Sequence, residues 1–393
     1  MTALNETQTQ LLSCLSAALF EKEAKWQCSD WKALFREADA HKVFPIVFEH
    51  SKACVSDEML REKAAKYARR CLSTTIGINY AHVQLDNLMT QNGIPYICFK
   101  GIASARYYPH PELRTGGDVD FYVNEADFAR CEAVLKDNGY VWVEDGGKHV
   151  VYQKDEVFLE LHRTINGIPK NQIGSRIEAD VFGDLVETAT DYNEGQGTVK
   201  IPDTFHHGMI LLLHTLSHMM KEGIGLRHLC DWMMFEASLS SEEFTALFES
   251  KLKSYGLWHF ACLLSSCGNR YLGAPYRCWQ GEAEDALLEK MMCDMMASGN
   301  FGKKDADRKR QIKYLAERGE FTQSERSVLA QAKRTIAKKA ALEHKSQAAV
   351  MAEYIKKVLS GERKPDSGKT LESAAQRKEI YASFHLFEQD KKD

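Results

Sequence analysis

Proline is scarce in this chain, eight in 393 residues, which leaves little room for extended Pro-rich linkers. Paired cysteines are lacking too. The 11 cysteines are odd in number and scattered, with no Cys-x-x-Cys, so neither a disulfide framework nor a zinc ribbon is legible and a reducing compartment is expected. There is no long apolar run: the longest, MILLLHTLSHMM at 209–220, is too short to span a bilayer and carries two histidines. The start, MTALNETQTQ, has no basic segment followed by an apolar one. These absences point to a cytoplasmic protein without a membrane partner. A net charge of -4 also excludes a chain that coats polyanions along its whole length.

What is present is the composition of a globular protein, 44% hydrophobic and 27% charged, long enough for two or three domains at about 150 residues each. Charge is unevenly spread. Residues 301–393 hold 22 Lys+Arg against 14 Asp+Glu, net +8, which leaves -12 for the rest. A nonspecific nucleic-acid surface would therefore lie in this basic tail, in stretches such as KKDADRKRQIK and KRTIAKKA, although solvated helix faces read the same way.

Periodicity divides the chain into four regions: helices over 1–90, an α+β core with a mixed sheet over 91–200, helices over 201–300, and the basic helical tail over 301–393. In the first, apolar residues recur at three- and four-residue spacing until Asn92-Gly93 closes the last helix as a C-cap. The second opens with a strand, PYICF, and a helix begun by Gly101. A Pro/Gly-rich loop then leads to the strand DVDFYV and a helix near 125–138. Three short strands follow, YVWVE, HVVYQK and VFLELHRTI, separated by Gly146-Gly147 and Asp155-Glu156 turns. The stretch 183–200 is weakly patterned.

Asp118 and Asp120 stand at i and i+2 on a strand, so both carboxylates leave one face a few ångströms apart, where they repel unless a cation lies between them. Two solvated acids on an edge strand fit Asp-x-Asp equally well. Glu160 in FLELH offers a third carboxylate if its strand neighbours the first. The Lys100-Gly101 turn, the Ser104 hydroxyl and Arg114 offer donors for phosphate. Together these are the parts of magnesium-dependent phosphoryl or nucleotidyl transfer. His162 shares the face of Glu160 and reads equally as a phosphate contact or a packed histidine, whereas His149 reads as packing.

The run FKGIASARYYPHPELRTGGDVDFYV resembles the signature of the nucleotidyltransferase superfamily with the DNA polymerase beta-like fold. More narrowly, the Lys-Gly turn, the Tyr-Pro loop, Arg before Asp-x-Asp, the later Glu-x-His and a downstream helix with spaced histidines resemble the uncharacterised bacterial nucleotidyltransferases whose turn reads Leu-Lys-Gly. The likeness covers about 94–235 well. It implies a nucleotidyltransferase-type sheet flanked by helical regions, with Asp118, Asp120 and Glu160 as catalytic acids and ligands of Mg²⁺ or Mn²⁺. It further implies a triphosphate against Lys100, Gly101, Ser104, Arg114 and His162. The donor is then an NTP, ATP first, the acceptor an unidentified hydroxyl, and the chemistry a two-metal transfer that releases pyrophosphate. Ser104 departs from the usual Gly-Ser turn, lying three residues after Gly101, so Lys100 would take its place.

His214 and His218 lie one helical turn apart, with Arg227 and Asp231 on the next helix. The plain reading pairs Arg227 with Asp231 and packs the histidines; the functional one makes these four an acceptor or base pocket. Two rivals to transfer remain: a catalytically silent nucleotide-binding module of the same fold, and a metal-dependent phosphohydrolase built on His214, His218 and Asp231. Glu160 pointing away from the other two acids, or a buried lysine filling the gap among them, would remove the enzymatic reading.

Overall fold

A computed structural model describes residues 3–20, 28–165, 167–193, 197–281, 283–305, 308 and 377–387. The chain opens with α1 (Glu6–Phe20), α2 (Trp31–Ala40) and α3 (Phe44–Ser51), then the long α4 (Glu58–Gln91). Asp57 caps α4 by accepting from Leu60 N, and Asn92 with Gly93 at φ +57 ends it as the sequence expects. Next come β1 (Tyr96–Cys98), α5 (Gly101–Ala105), β2 (Val119–Val123), α6 (Glu125–Asp137), β3 (Val141–Asp145), β4 (His149–Lys154) and β5 (Val157–His162). Every expected strand of this region is present. Two elements were not legible beforehand: α7 (Gln172–Phe182) and the small hairpin of β6 (Thr190–Asn193) and β7 (Thr198–Ile201). The helical half follows with α8 (Thr204–Lys221), α9 (Leu226–Ala237), α10 (Ser241–Phe244), a π-helical turn (Thr245–Glu249), α11 (Ser250–Tyr255), α12 (Trp258–Leu272) and α13 (Asp285–Ser298).

The sheet runs in the order β1-β2-β5-β4-β3, with β2 and β5 parallel and every other pair antiparallel. This is the mixed sheet the sequence implied. Alternation gives it two faces. Val119, Phe121, Val123, Val150, Tyr152, Leu159 and Leu161 join residues of α4 and α6 in one apolar core. The opposite face carries Asp120, Tyr122, Glu160, His162 and His149 toward the helical half. There a second core collects α1–α3 together with α8, α9, α12 and α13, so helices from both ends of the chain share it. The long α4 contributes Ala64 to this core and Ile78, Val83, Leu85 and Met89 to the other.

Among the described residues no helix is long and apolar enough to cross a membrane. Most of the basic tail lies outside the described residues, as does its suggested nucleic-acid surface. Two of its arginines are placed. Arg308 makes a bidentate pair with Asp294, at 2.8 and 2.9 Å, and Arg377 Nε reaches Asp294 Oδ1 at 2.8 Å, all buried. These contacts, with Ile380 and Phe384 fully buried, dock 377–387 on the helical half.

Candidate active site

The register of the sheet assembles the acids. In the parallel pair β2–β5, Asp120 lies beside Glu160, and in the hairpin β4–β5, His149 lies opposite His162. Three strands thus bring Asp120, Glu160, His162 and His149 onto one face. Asp118 sits one residue before β2, after Gly116-Gly117, and is exposed at the mouth of the site. The expectation that it belongs to the strand is corrected by one residue.

Asp120 is 5% exposed and carries two contacts on one oxygen: Lys100 Nζ donates to Oδ1 at 2.5 Å, and His162 Nε2 lies 2.7 Å from the same atom. A carboxylate only accepts, so His162 holds its proton on Nε2. Burial alone would raise the Asp120 carboxyl, but the Lys100 charge and then the His162 hydrogen bond hold it well below the usual range. Asp118 moves the other way. Partial burial, then the charges of Asp120 and Glu160, push it up to about 6, even with Lys100 and Arg227 pulling it down. Solvent at its exposed position trims that shift.

Lys100 therefore does lie against one acid, the arrangement that counts against the enzymatic reading when it fills the gap among all three. Its hydrogen bond is to Asp120, and its single charge leaves Asp118 under net repulsion. Lys100 also has φ +60 and ψ -110, a conformation that side chains rarely adopt and that costs on the order of 1–3 kcal/mol. Strain of this kind aims the ammonium at the acids across the β1–α5 turn. The helix it opens has only five residues, so its dipole adds little for an anion.

At Gly101 an added Cβ would meet only Arg114 Nη1, at 3.7 Å, an ordinary contact, and φ there is not positive. The protein itself does not require glycine here. We expect Gly101→Ala to leave the melting temperature within about 3 °C of wild type, as a surface-type change does, and to depress any reaction whose substrate approaches this backbone. A thermal melt beside an activity assay checks both.

Two residues expected to contact phosphate are buried. Arg114, 6% exposed, faces inward: its Nε and Nη2 hold both Asp231 oxygens at 3.0 and 2.7 Å, and Tyr108 donates to Asp231 Oδ1 at 2.8 Å. This buried fork fastens the loop before β2 to α9, so neither Arg114 nor Asp231 is offered to a substrate, and Asp231 does not pair with Arg227. Ser104 is 1% exposed with its hydroxyl buried and unpartnered, not in an open cleft. With Asp231 committed, the phosphohydrolase reading loses its carboxylate.

His214 and His218 do lie together, ring centroids 4.3 Å apart, but with His228 stacked on His214 at 5.9 Å and Phe301 covering His218 and His228 at 4.7 and 5.2 Å. Burial and then neighbouring positive charge keep His214 and His228 well below the usual imidazole range. Lys100 is among the charges felt by His214 and His218, so the cluster lies within electrostatic reach of the acids. Arg227, next to His228, donates to the Thr115 carbonyl at 3.2 Å, stands over Phe301 and keeps Nε buried without a partner. Burial and the nearby Arg114 charge lower its pKa.

Phe301 gave no signal in the sequence. His149 did: counting back from the two-residue Asp155-Glu156 turn places it opposite His162.

The sequence profile of a family described as uncharacterised nucleotidyltransferases matches residues 27–273. The chain belongs to that family. The match takes in the whole sheet, both carboxylate strands and the histidine-bearing helix α8. No curated protein matches. Among solved structures, an antigenic nucleotidyltransferase-like protein from Paracoccidioides brasiliensis is similar at 17% identity and a TM-score of 0.30, covering 52% of this chain and 94% of that one.

Proposed function

We propose that the protein moves a nucleoside monophosphate from an NTP to a hydroxyl acceptor, releasing pyrophosphate. The observation that carries this is the side-by-side placement of Asp120 and Glu160 on parallel strands, with Asp118 close enough to feel both charges. Three mutually repelling carboxylates against one lysine leave a net charge of -2, which fits a divalent cation. Asp118, Asp120 and Glu160 would hold Mg²⁺ or Mn²⁺, which when bound lowers the pKa of the attacking hydroxyl and offsets charge on the leaving pyrophosphate.

The chain's own groups do the remaining work. The acceptor oxygen forms its bond to the α-phosphorus as the bond to the pyrophosphate oxygen breaks, and Glu160, with a side chain 23% exposed, takes the hydroxyl proton. Lys100, which needs a partner only while Asp120 has no other cation, turns to the phosphates. Arg227, across the cleft without a carboxylate partner, offers its guanidinium to the same anion. The ring cluster of His214, His218 and Phe301 forms the base or acceptor wall. Intact acids speak against the silent-module reading.

The test is incubation of the full chain with each α-³²P-labelled NTP, Mg²⁺ or Mn²⁺, and fractionated small molecules, RNA and protein. We expect label to appear on one fraction and pyrophosphate to be released. Labelled product absent from every fraction with every NTP would overturn the proposal.

A further inference from the structure

The active-site face holds one grouping that shares Glu160 with the carboxylate reading and adds two imidazoles to it. His149, Glu160 and His162 each offer a ligand atom, and these atoms lie within 4.8 Å of one another, the one such trio among the described residues. From Glu160 Oε2 the distances are 3.4 Å to His162 Nε2 and 3.8 Å to His149 Nε2. Both exceed a normal hydrogen bond, which ends near about 3.2 Å. The shorter matches the edge of a tetrahedron built from zinc–nitrogen and zinc–oxygen bonds, about 3.3–3.5 Å, and the longer exceeds it by a few tenths of an ångström. Nδ1 of each ring is buried without a partner, so each imidazole meets the protein's polar groups only through Nε2.

We infer that His149, Glu160 and His162 form a site for a transition-metal ion of the Zn²⁺, Co²⁺ or Mn²⁺ class. Two imidazoles and one carboxylate suit such ions, whereas Mg²⁺ prefers an all-oxygen shell and keeps its water. Three protein ligands leave a position for a substrate oxygen, the pattern of catalytic rather than structural sites. A His162 ring that ligates through Nε2 would carry its proton on Nδ1. The inference goes beyond the transfer reading and holds whether or not transfer occurs.

The test uses the full chain stripped with a chelator and titrated with Co²⁺ alone, followed by visible absorption. We expect one ion per chain, the intense band of low-coordinate cobalt, displacement by Zn²⁺ and none by excess Mg²⁺. His149→Ala should weaken binding by at least about 100-fold, the upper range for losing even an outer partner of a ligand. His149→Gln serves if the alanine variant shows an altered circular dichroism spectrum. Asp118→Ala should retain the band while losing label transfer. Cobalt bound equally well by both His149 variants, or no stoichiometric binding by wild type, overturns the site. A cobalt band without label transfer overturns the transfer reading alone, and label transfer without a band overturns the site alone.

Discussion

Asp118→Ala will stop nucleotidyl transfer, by about 1,000-fold or more, and leave the protein as stable as wild type or slightly more so. The two effects separate because of where the charge sits. Asp118 is pushed up toward about 6 by partial burial and by Asp120 and Glu160, less what solvent at its exposed position screens, so its ionised form is disfavoured in the folded protein. A carboxyl raised in the folded state contributes stability at pH below its unfolded value, near 3.9, and loses it as the pH rises through about 6. At neutral pH, deleting it therefore relieves repulsion. Asp120→Ala will behave otherwise. That carboxylate is held down by Lys100 and His162, and its removal strands a mostly buried ammonium, so transfer and several degrees of melting temperature should go together. Steady-state label transfer and thermal melts on both variants check this. Equal melting losses for the two would show that the acids do not repel one another. Asp118→Ala with more than a tenth of wild-type turnover would remove it from the reaction.

Asp294→Ala will have the largest effect on stability, about 3–5 kcal/mol, the range for breaking a buried ion pair by removing one partner. Two buried guanidinium groups depend on this carboxylate, Arg308 by two hydrogen bonds and Arg377 by one. Arg308 would keep the Met219 carbonyl at 2.9 Å, and Arg377 would keep Asp305 at 2.7 Å. Arg377 thus retains one carboxylate, whereas Arg308, the more deeply buried of the two, is left with neutral partners. Because Arg377 belongs to the docked segment, limited proteolysis should release a C-terminal fragment from the variant well before it unfolds globally. Denaturant melts within about 1 kcal/mol of wild type, with an unchanged digestion pattern, would contradict this account.

Much of the sheet was legible in the sequence because each strand is a short apolar run closed by a glycine or acidic turn, and turn chemistry is local. The acids were legible for a similar reason: Asp-x-Asp and Glu-x-His state which residues share a face. What pairs across the fold was not. Arg114 four residues before Asp118 reads as a phosphate clamp, yet its partner Asp231 is 117 positions away on a helix whose approach no local pattern encodes. Arg227 and Asp231 at i,i+4 read as a helical pair for the same local reason, and the tertiary partner prevailed because a bidentate buried fork is stronger than a surface pair. Ser104 shows the limit of motif spacing, since three residues of helix turn its hydroxyl into the interior. The hairpin β6–β7 escaped because β6 is polar and mostly exposed, and the alternation of β7, with Val199 and Ile201 buried, runs for only four residues.

The helix α4, 34 residues and about 51 Å long, has one stretch in each apolar core. Such a rod couples the carboxylate sheet to the histidine-bearing bundle as a crossbeam couples two walls. Melting of either half exposes part of the same helix, and a single sigmoidal transition by near-UV and far-UV signals is the corollary. Substrate must then be admitted by side chains at the rim, Asp118 and Arg227 among them, rather than by the two halves swinging apart.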